Sequence, residues 1–102
     1  MIVASESAVT RLGLTPLCEL VASAQTGLDP QIMGLGPVQA VTNALSKAEV
    51  AISDVNVFEL NEAFAAQALG VIRNLASEHG VSAESILQKA TLMVVLLLWV
   101  TL

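Results

Sequence analysis

A chain of 102 residues in which 55% of side chains are apolar and 13% charged is too hydrophobic for a disordered tail and too short for two full domains. Nine acidic residues against four basic ones give a net charge of −5, which excludes the basic patch that a phosphate-backbone ligand such as DNA or RNA requires. Counting glycine lifts the apolar share to about 61%, against roughly 45–50% in an average soluble domain, and much of the surplus lies in the uncharged stretch Leu92 to Leu102.

Ile2 to Ala4 reads as the end of a strand, and Ser5-Glu6-Ser7 as a helix start leading through Ala8, Val9 and Leu12 to a stop at Gly13. Leu17 to Gly27 alternates Leu20, Ala22 and Ala24 against Val21, Ser23 and Gln25, which predicts a strand that Asp29-Pro30 breaks. Met33-Gly34-Leu35-Gly36-Pro37 is a glycine-punctuated loop, with Pro37 suited to a first helical position. Val38, Val41, Leu45 and Ala48 then form one helical stripe. Asp54 to Leu60 predicts a further strand, and from Asn61 the period changes again. Phe64, Ala68, Val71, Ile72 and Leu75 share a helical face that closes at His79-Gly80. Ser82 suits the cap of a short helix through Gln88. This alternation predicts a layered α/β unit.

Cys18 is the single cysteine, without a CxxC or histidine cluster near it, so the sequence offers neither a disulfide framework nor a metal site. A cytosolic or organelle-lumen setting fits, and a cytoplasmic location is the expectation. Glu6 interrupts any secretory signal sequence, and the apolar tail has about half of the roughly 20 residues a spanning helix needs, so no membrane span is expected.

No Ser-His-Asp arrangement or phosphate-cradling loop can be recognised. Two stretches carry more information: Leu28-Asp29-Pro30-Gln31-Ile32-Met33-Gly34-Leu35-Gly36-Pro37 and Phe58-Glu59-Leu60-Asn61-Glu62-Ala63-Phe64-Ala65-Ala66-Gln67. Their order and spacing resemble the thiolase family, of the acetyl-CoA acetyltransferase kind, in which a DP-x-x-MG-x-GP loop precedes a helix and an NEAFA motif follows a strand. The resemblance runs from Val3 to about Lys89, with Ser5-Glu6-Ser7 and Gly13 to Leu17 fitting the segment before the loop. It implies a partial thiolase-like α/β fold. Residues 1–15 are expected to end the N-terminal thiolase domain, residues 16–91 to form an incomplete C-terminal domain, and residues 92–102 to be an apolar tail outside the family pattern.

Thiolases continue at this point into an asparagine-glycine-glycine strand and a Gly-His-Pro motif. The tail can be reconciled with that pattern through the genetic code. Met93 and Trp99 have single codons ending in G, and each precedes a valine codon beginning GT, so a frame shifted by two bases reads GGT, glycine, at both places. Suitable codons give Gly-Gly-Ala-Ile-Ala-Leu-Gly-His-Pro over the tail, with Asn-Val-Asn before it. A frame-shifted thiolase segment is therefore expected there.

The resemblance implies that Asn61 holds the water of an oxyanion hole, while the residue type alone equally suits a helix N-cap. Met33, Ala63 and Phe64 match positions lining the acyl and pantetheine arm of coenzyme A, although apolar residues beside a glycine loop also suit a core. Glu62 fits either an acid or a helix-dipole partner. Cys18 matches neither catalytic cysteine and reads as a half-buried thiol, and His79 as a helix-end capping or solvent-facing residue.

The implied activity is Claisen condensation or thiolysis of acyl-CoA, with coenzyme A thioesters as substrates, no cofactor, and homo-oligomers for the intact family. One cysteine takes the acyl group, a second acts as acid and base, and a histidine tunes the nucleophile. None of the three is matched in this sequence, which predicts an inactive chain. The other expectation is a non-enzymatic product that associates through its apolar tail.

Overall fold

The computed structural model describes residues 2–93, so the predicted tail beyond Met93, with its frame-shift reading, lies outside the described residues. Helix α1 spans Glu6–Leu12 between an N-cap at Ser5, whose Oγ accepts from the Ala8 N–H at 3.3 Å, and Gly13, which turns left-handed at φ 60°. A six-residue 3₁₀ segment, Pro30–Leu35, leads directly into α2, Gly36–Ala48. The Asp29-Pro30 pair starts that segment: the Asp29 carboxylate accepts from the Gln31 N–H at 2.9 Å, and proline occupies a position that needs no donor.

Strand β1, Phe58–Asn61, pairs in parallel with β2, Ala90–Met93, in the register Phe58 to Ala90 through Asn61 to Met93. The crossover between them holds α3, Ala65–His79, and α4, Ala83–Leu87. Each crossover helix is punctuated where the sequence indicates: Gly80 turns left-handed after α3, and Ser82 Oγ caps α4 by accepting from the Ser85 N–H at 3.1 Å.

The core lies between α3, α4, β1 and the inner stripe of α2. Leu75 is fully buried, and Ile72, Ile86, Val71, Ala76, Ile52 and Phe58 surround it. Leu35, Val38, Val41 and Leu45 pack against this cluster, so the i, i+3, i+7 stripe of α2 is its core face. Two long-range ties close the unit. Lys89 Nζ donates to the carbonyls of Ser53 at 2.9 Å and Val55 at 2.8 Å, fixing the approach to β1 against the approach to β2. Thr42 Oγ1 lies 2.9 Å from His79 Nε2, joining α2 to the end of α3.

Several expectations are corrected. Residues 17–27 have no regular secondary structure: they make no backbone–backbone hydrogen bond to any described residue, and a strand is defined by its partner. Their alternation survives in part, with Ala22, Ala24 and Thr26 half-buried and Val21, Ser23 and Gln25 exposed. Ile2 to Ala4 is likewise outside any strand. The strand expected from Asp54 begins at Phe58, because Ile52–Asp54 closes a 3₁₀ turn and β2 offers a partner only from Ala90. Phe64 leaves the helical face assigned to it and is 74% exposed. Cys18 is exposed rather than half-buried, and His79 is a half-buried tertiary tie rather than a cap or a solvent-facing residue.

Candidate functional site

Within the sequence DVNVFELNEAF the strand ends at the second asparagine, Asn61. Along β1 the side chains alternate, with Phe58 buried, Glu59 exposed, Leu60 half-buried and Asn61 exposed, so the strand gives Phe58 and Leu60 to the core and ends at Asn61. The Ala63 N–H then donates to the Asn61 carbonyl at 3.1 Å, and Phe64, at φ −144° and ψ 137°, remains extended before α3 begins. Asn61 is therefore not the N-cap of α3, which is Phe64 without a side-chain cap, and Glu62 lies ahead of the first helical turn rather than in it.

Asn61 opens onto a cleft of about 520 Å³. Glu59, Leu60 and Asn61 of β1 form one side, Gly36, Pro37, Ala40, Val41 and Ala44 of α2 a second, Ala68 and Val71 of α3 a third, and Ala24 and Thr26 of the 17–27 segment a fourth. The cleft exists because the residues meeting across it are mostly small: alanine and glycine hold the backbones together without filling the space between them. Its polar groups are Thr26, Glu59 and Asn61. Lys47 Nζ donates to the Ser23 carbonyl at 3.0 Å and so ties that segment to α2. In a parallel sheet the space beyond the carboxyl ends of the strands is the usual ligand site, and Asn61 is the last residue of β1.

The other three candidates lie outside this lining. Met33 is 75% exposed on the 3₁₀ segment, and Ala63 and Phe64 are exposed ahead of α3. The 3₁₀ segment nevertheless packs on the first turns of α3. A Cβ added at Gly34 would meet Gln67 Cγ at 3.2 Å, and one added at Gly70 would meet Leu35 Cδ2 at 3.3 Å. The two glycines thus permit a close approach that sets the Met33 turn beside the start of the helix that Phe64 precedes. Thr26 and Glu59 were not singled out by sequence. The period-2 pattern carries the signal for Thr26, which shares the parity of Ala22 and Ala24. Among the described residues no group of three or more His, Cys, Asp or Glu side chains could hold a metal ion, and no helix is long and apolar enough to cross a membrane.

Residues 14–90 match the family described as thiolase, C-terminal domain. The chain belongs to the thiolase family. It is 53% identical over 75 residues to the 3-oxoadipyl-CoA/3-oxo-5,6-dehydrosuberyl-CoA thiolase of Escherichia coli K12, a match covering 74% of this chain and 19% of that protein. A 3-ketoacyl-CoA thiolase of Saccharophagus degradans is 51% identical over the same length, again 74% of this chain and 19% of the relative. The acetyl-CoA acetyltransferase of Syntrophomonas wolfei superposes with a TM-score of 0.75 at 43% identity, over 84% of this chain and 21% of that structure. Human mitochondrial 3-ketoacyl-CoA thiolase in complex with CoA gives 0.70 at 38% identity, over 85% and 20%. The fold is thus a partial α/β thiolase fold, and the chain spans about a fifth of the length of these relatives.

Proposed function

We propose that this chain carries the oxyanion side and part of the acyl-arm surface of a thiolase site, for Claisen condensation or thiolysis of acyl-CoA of the acetyl-CoA C-acetyltransferase kind. The observation that supports it most is the position of Asn61, the last residue of β1 and the first of the NEAFA motif, in the lining of the 520 Å³ cleft. In this reading the Asn61 amide holds a water that donates to the oxygen of the thioester carbonyl as negative charge develops there, a term that operates only in the transition state. Met33, Ala63 and Phe64, exposed around the start of α3, supply apolar contact to the pantetheine arm of coenzyme A.

The acyl-accepting cysteine, the acid-base cysteine and the tuning histidine have no matching positions here: Cys18 is exposed in the 17–27 segment and His79 is engaged with Thr42. The chain alone is therefore proposed to bind acyl-CoA and not to turn it over. Residues 1–15 belong in this reading to the end of an N-terminal thiolase domain and 16–91 to a C-terminal one. The uncharged 92–102 stretch is a catalytic segment read in the wrong frame, which the encoding DNA tests: absence of Gly-His-Pro codons in the neighbouring frame ends that part of the proposal. Homo-oligomerisation belongs in this reading to the intact family, and the cytoplasmic location rests on the single cysteine, Cys18.

Calorimetric titration of the full chain with acetyl-CoA tests the binding surface. Met33→Ala and Phe64→Ala, at exposed positions that leave the core intact, are expected to weaken binding at least threefold each. Equal affinity in both variants, or no binding by the parent chain, overturns the assignment. A second reading, a non-enzymatic product that self-associates, draws on the exposed apolar residues between Ile2 and Val21. Sedimentation as a monomer at micromolar concentration would count against it.

A further inference from the structure

The C-terminal half of α2 and the last residue of α3 border a second cleft, of about 300 Å³, which shares no lining residue with the larger one. Thr42 and His79 both line it, half-buried, with 2.9 Å between Thr42 Oγ1 and His79 Nε2. In the tautomer that carries its proton on Nδ1, the neutral ring accepts the Thr42 hydroxyl proton at Nε2. Ser46, one helical turn beyond Thr42, adds a second hydroxyl to the lining, and Leu45, Ile52 and Val81 give it an apolar wall. Because His79 ends α3, positive charge formed on its ring stands at the carbonyl end of the helix, where it is favoured. As a tie between helices, the Thr42–His79 bond needs neither the opening beside it nor the second hydroxyl. A hydroxyl held to an imidazole in an open cleft is the arrangement of a nucleophile and its general base.

We propose that Thr42 is an acyl-acceptor site for short-chain esters, with His79 as its base. Thr42 Oγ1 attacks the ester carbonyl carbon while its proton passes to His79 Nε2. The bond from that carbon to the leaving oxygen then breaks, the leaving group departs with the electron pair and takes up the proton from His79, and the chain is left as the Thr42 ester. Nothing is oxidised or reduced. The Ser46 hydroxyl is a donor for the carbonyl oxygen as negative charge develops on it. At about 300 Å³ the cleft suits a short acyl chain against its apolar wall, with the leaving group in solvent. The proposal stands on this cleft and not on the Asn61 reading, so the titration with acetyl-CoA can fail without affecting it.

The test is labelling of the full 102-residue chain with p-nitrophenyl acetate, followed by p-nitrophenolate release and by mass spectrometry of the acid-quenched, digested chain. A single acetyl group is expected, on the peptide that carries Thr42. Thr42→Val is expected to lose that label, Thr42→Ser to keep it, and His79→Gln to slow its formation by about a hundredfold or more. Both positions lie outside the buried core cluster, so the three variants should keep the circular dichroism of the parent. Cys18→Ala, which removes an exposed thiol outside the cleft lining, should leave the Thr42 label unchanged. Acetyl groups on Cys18, the lysines or the N-terminal amine with Thr42 unmodified overturn the proposal. Labelling of Thr42 at the parent rate in the His79→Gln variant overturns it as well, since the hydroxyl would then react without its base.

Discussion

Residues 2–28 and residues 35–90 have similar amphipathic patterns in sequence and opposite fates in structure. The second region contains every buried residue of the described chain, from Ile52 to Ile86, and closes on itself through α2, the β1–β2 pair, α3 and α4. The first contains one short helix with no buried residue and a stretch with neither regular secondary structure nor a strand partner. The difference is one of partners rather than of pattern. Val38, Val41 and Leu45 pack against the core cluster, whereas Leu17, Leu20 and Val21 stand exposed in the described chain. A hydrophobic period marks a face to be covered, and what covers it is a tertiary fact.

The sharpest way to break this contrast is to remove a leucine from each region. Leu75→Ala, at a site with no exposure, should destabilise the full chain by about 2–5 kcal/mol in urea unfolding, while Leu17→Ala should change it by less than about 0.5 kcal/mol. Comparable costs at the two sites would mean that the N-terminal stretch is packed after all. Lys89→Ala removes two charge-assisted bonds to the Ser53 and Val55 carbonyls and should cost about 1–2 kcal/mol, read as a lower urea midpoint at unchanged slope. Thr42→Val, which breaks the bond to His79 with little change of shape, should cost about 1 kcal/mol. The smallest effect has the opposite sign. Glu49 ends α2 at φ 56°, a left-handed conformation that favours glycine, so Glu49→Gly should stabilise by about 0.5 kcal/mol, seen as a small rise in melting temperature.

Local chemistry made much of the self-sufficient region legible. Ser5, Gly13, Gly80 and Ser82 act at the helix ends where their residue types place them, and the stripes of α2 and α3 are their core faces. Nonlocal pairing was not legible. The strand expected at 17–27 lacks its partner, β1 starts four residues late because its register is set by Ala90, and Phe64 lies on the near side of the helix start and so misses the core face. The site divides in the same way. Asn61 was singled out by its motif, and the structure replaces its helix-capping alternative with a position at the end of β1. Thr26 and Glu59 enter the cleft only when the 17–27 segment, α2 and β1 come together, which single-residue patterns do not encode.

The account is tested most directly by thiolysis of acetoacetyl-CoA in the presence of coenzyme A, with the purified full chain in excess over substrate. The expected result is no acetyl-CoA formation above the uncatalysed rate, because the proposed oxyanion role of Asn61 can lower a barrier only where a positioned nucleophile and its base attack the carbonyl. Turnover by this chain that disappears in Asn61→Ala would contradict it, by showing a complete catalytic site within these 102 residues.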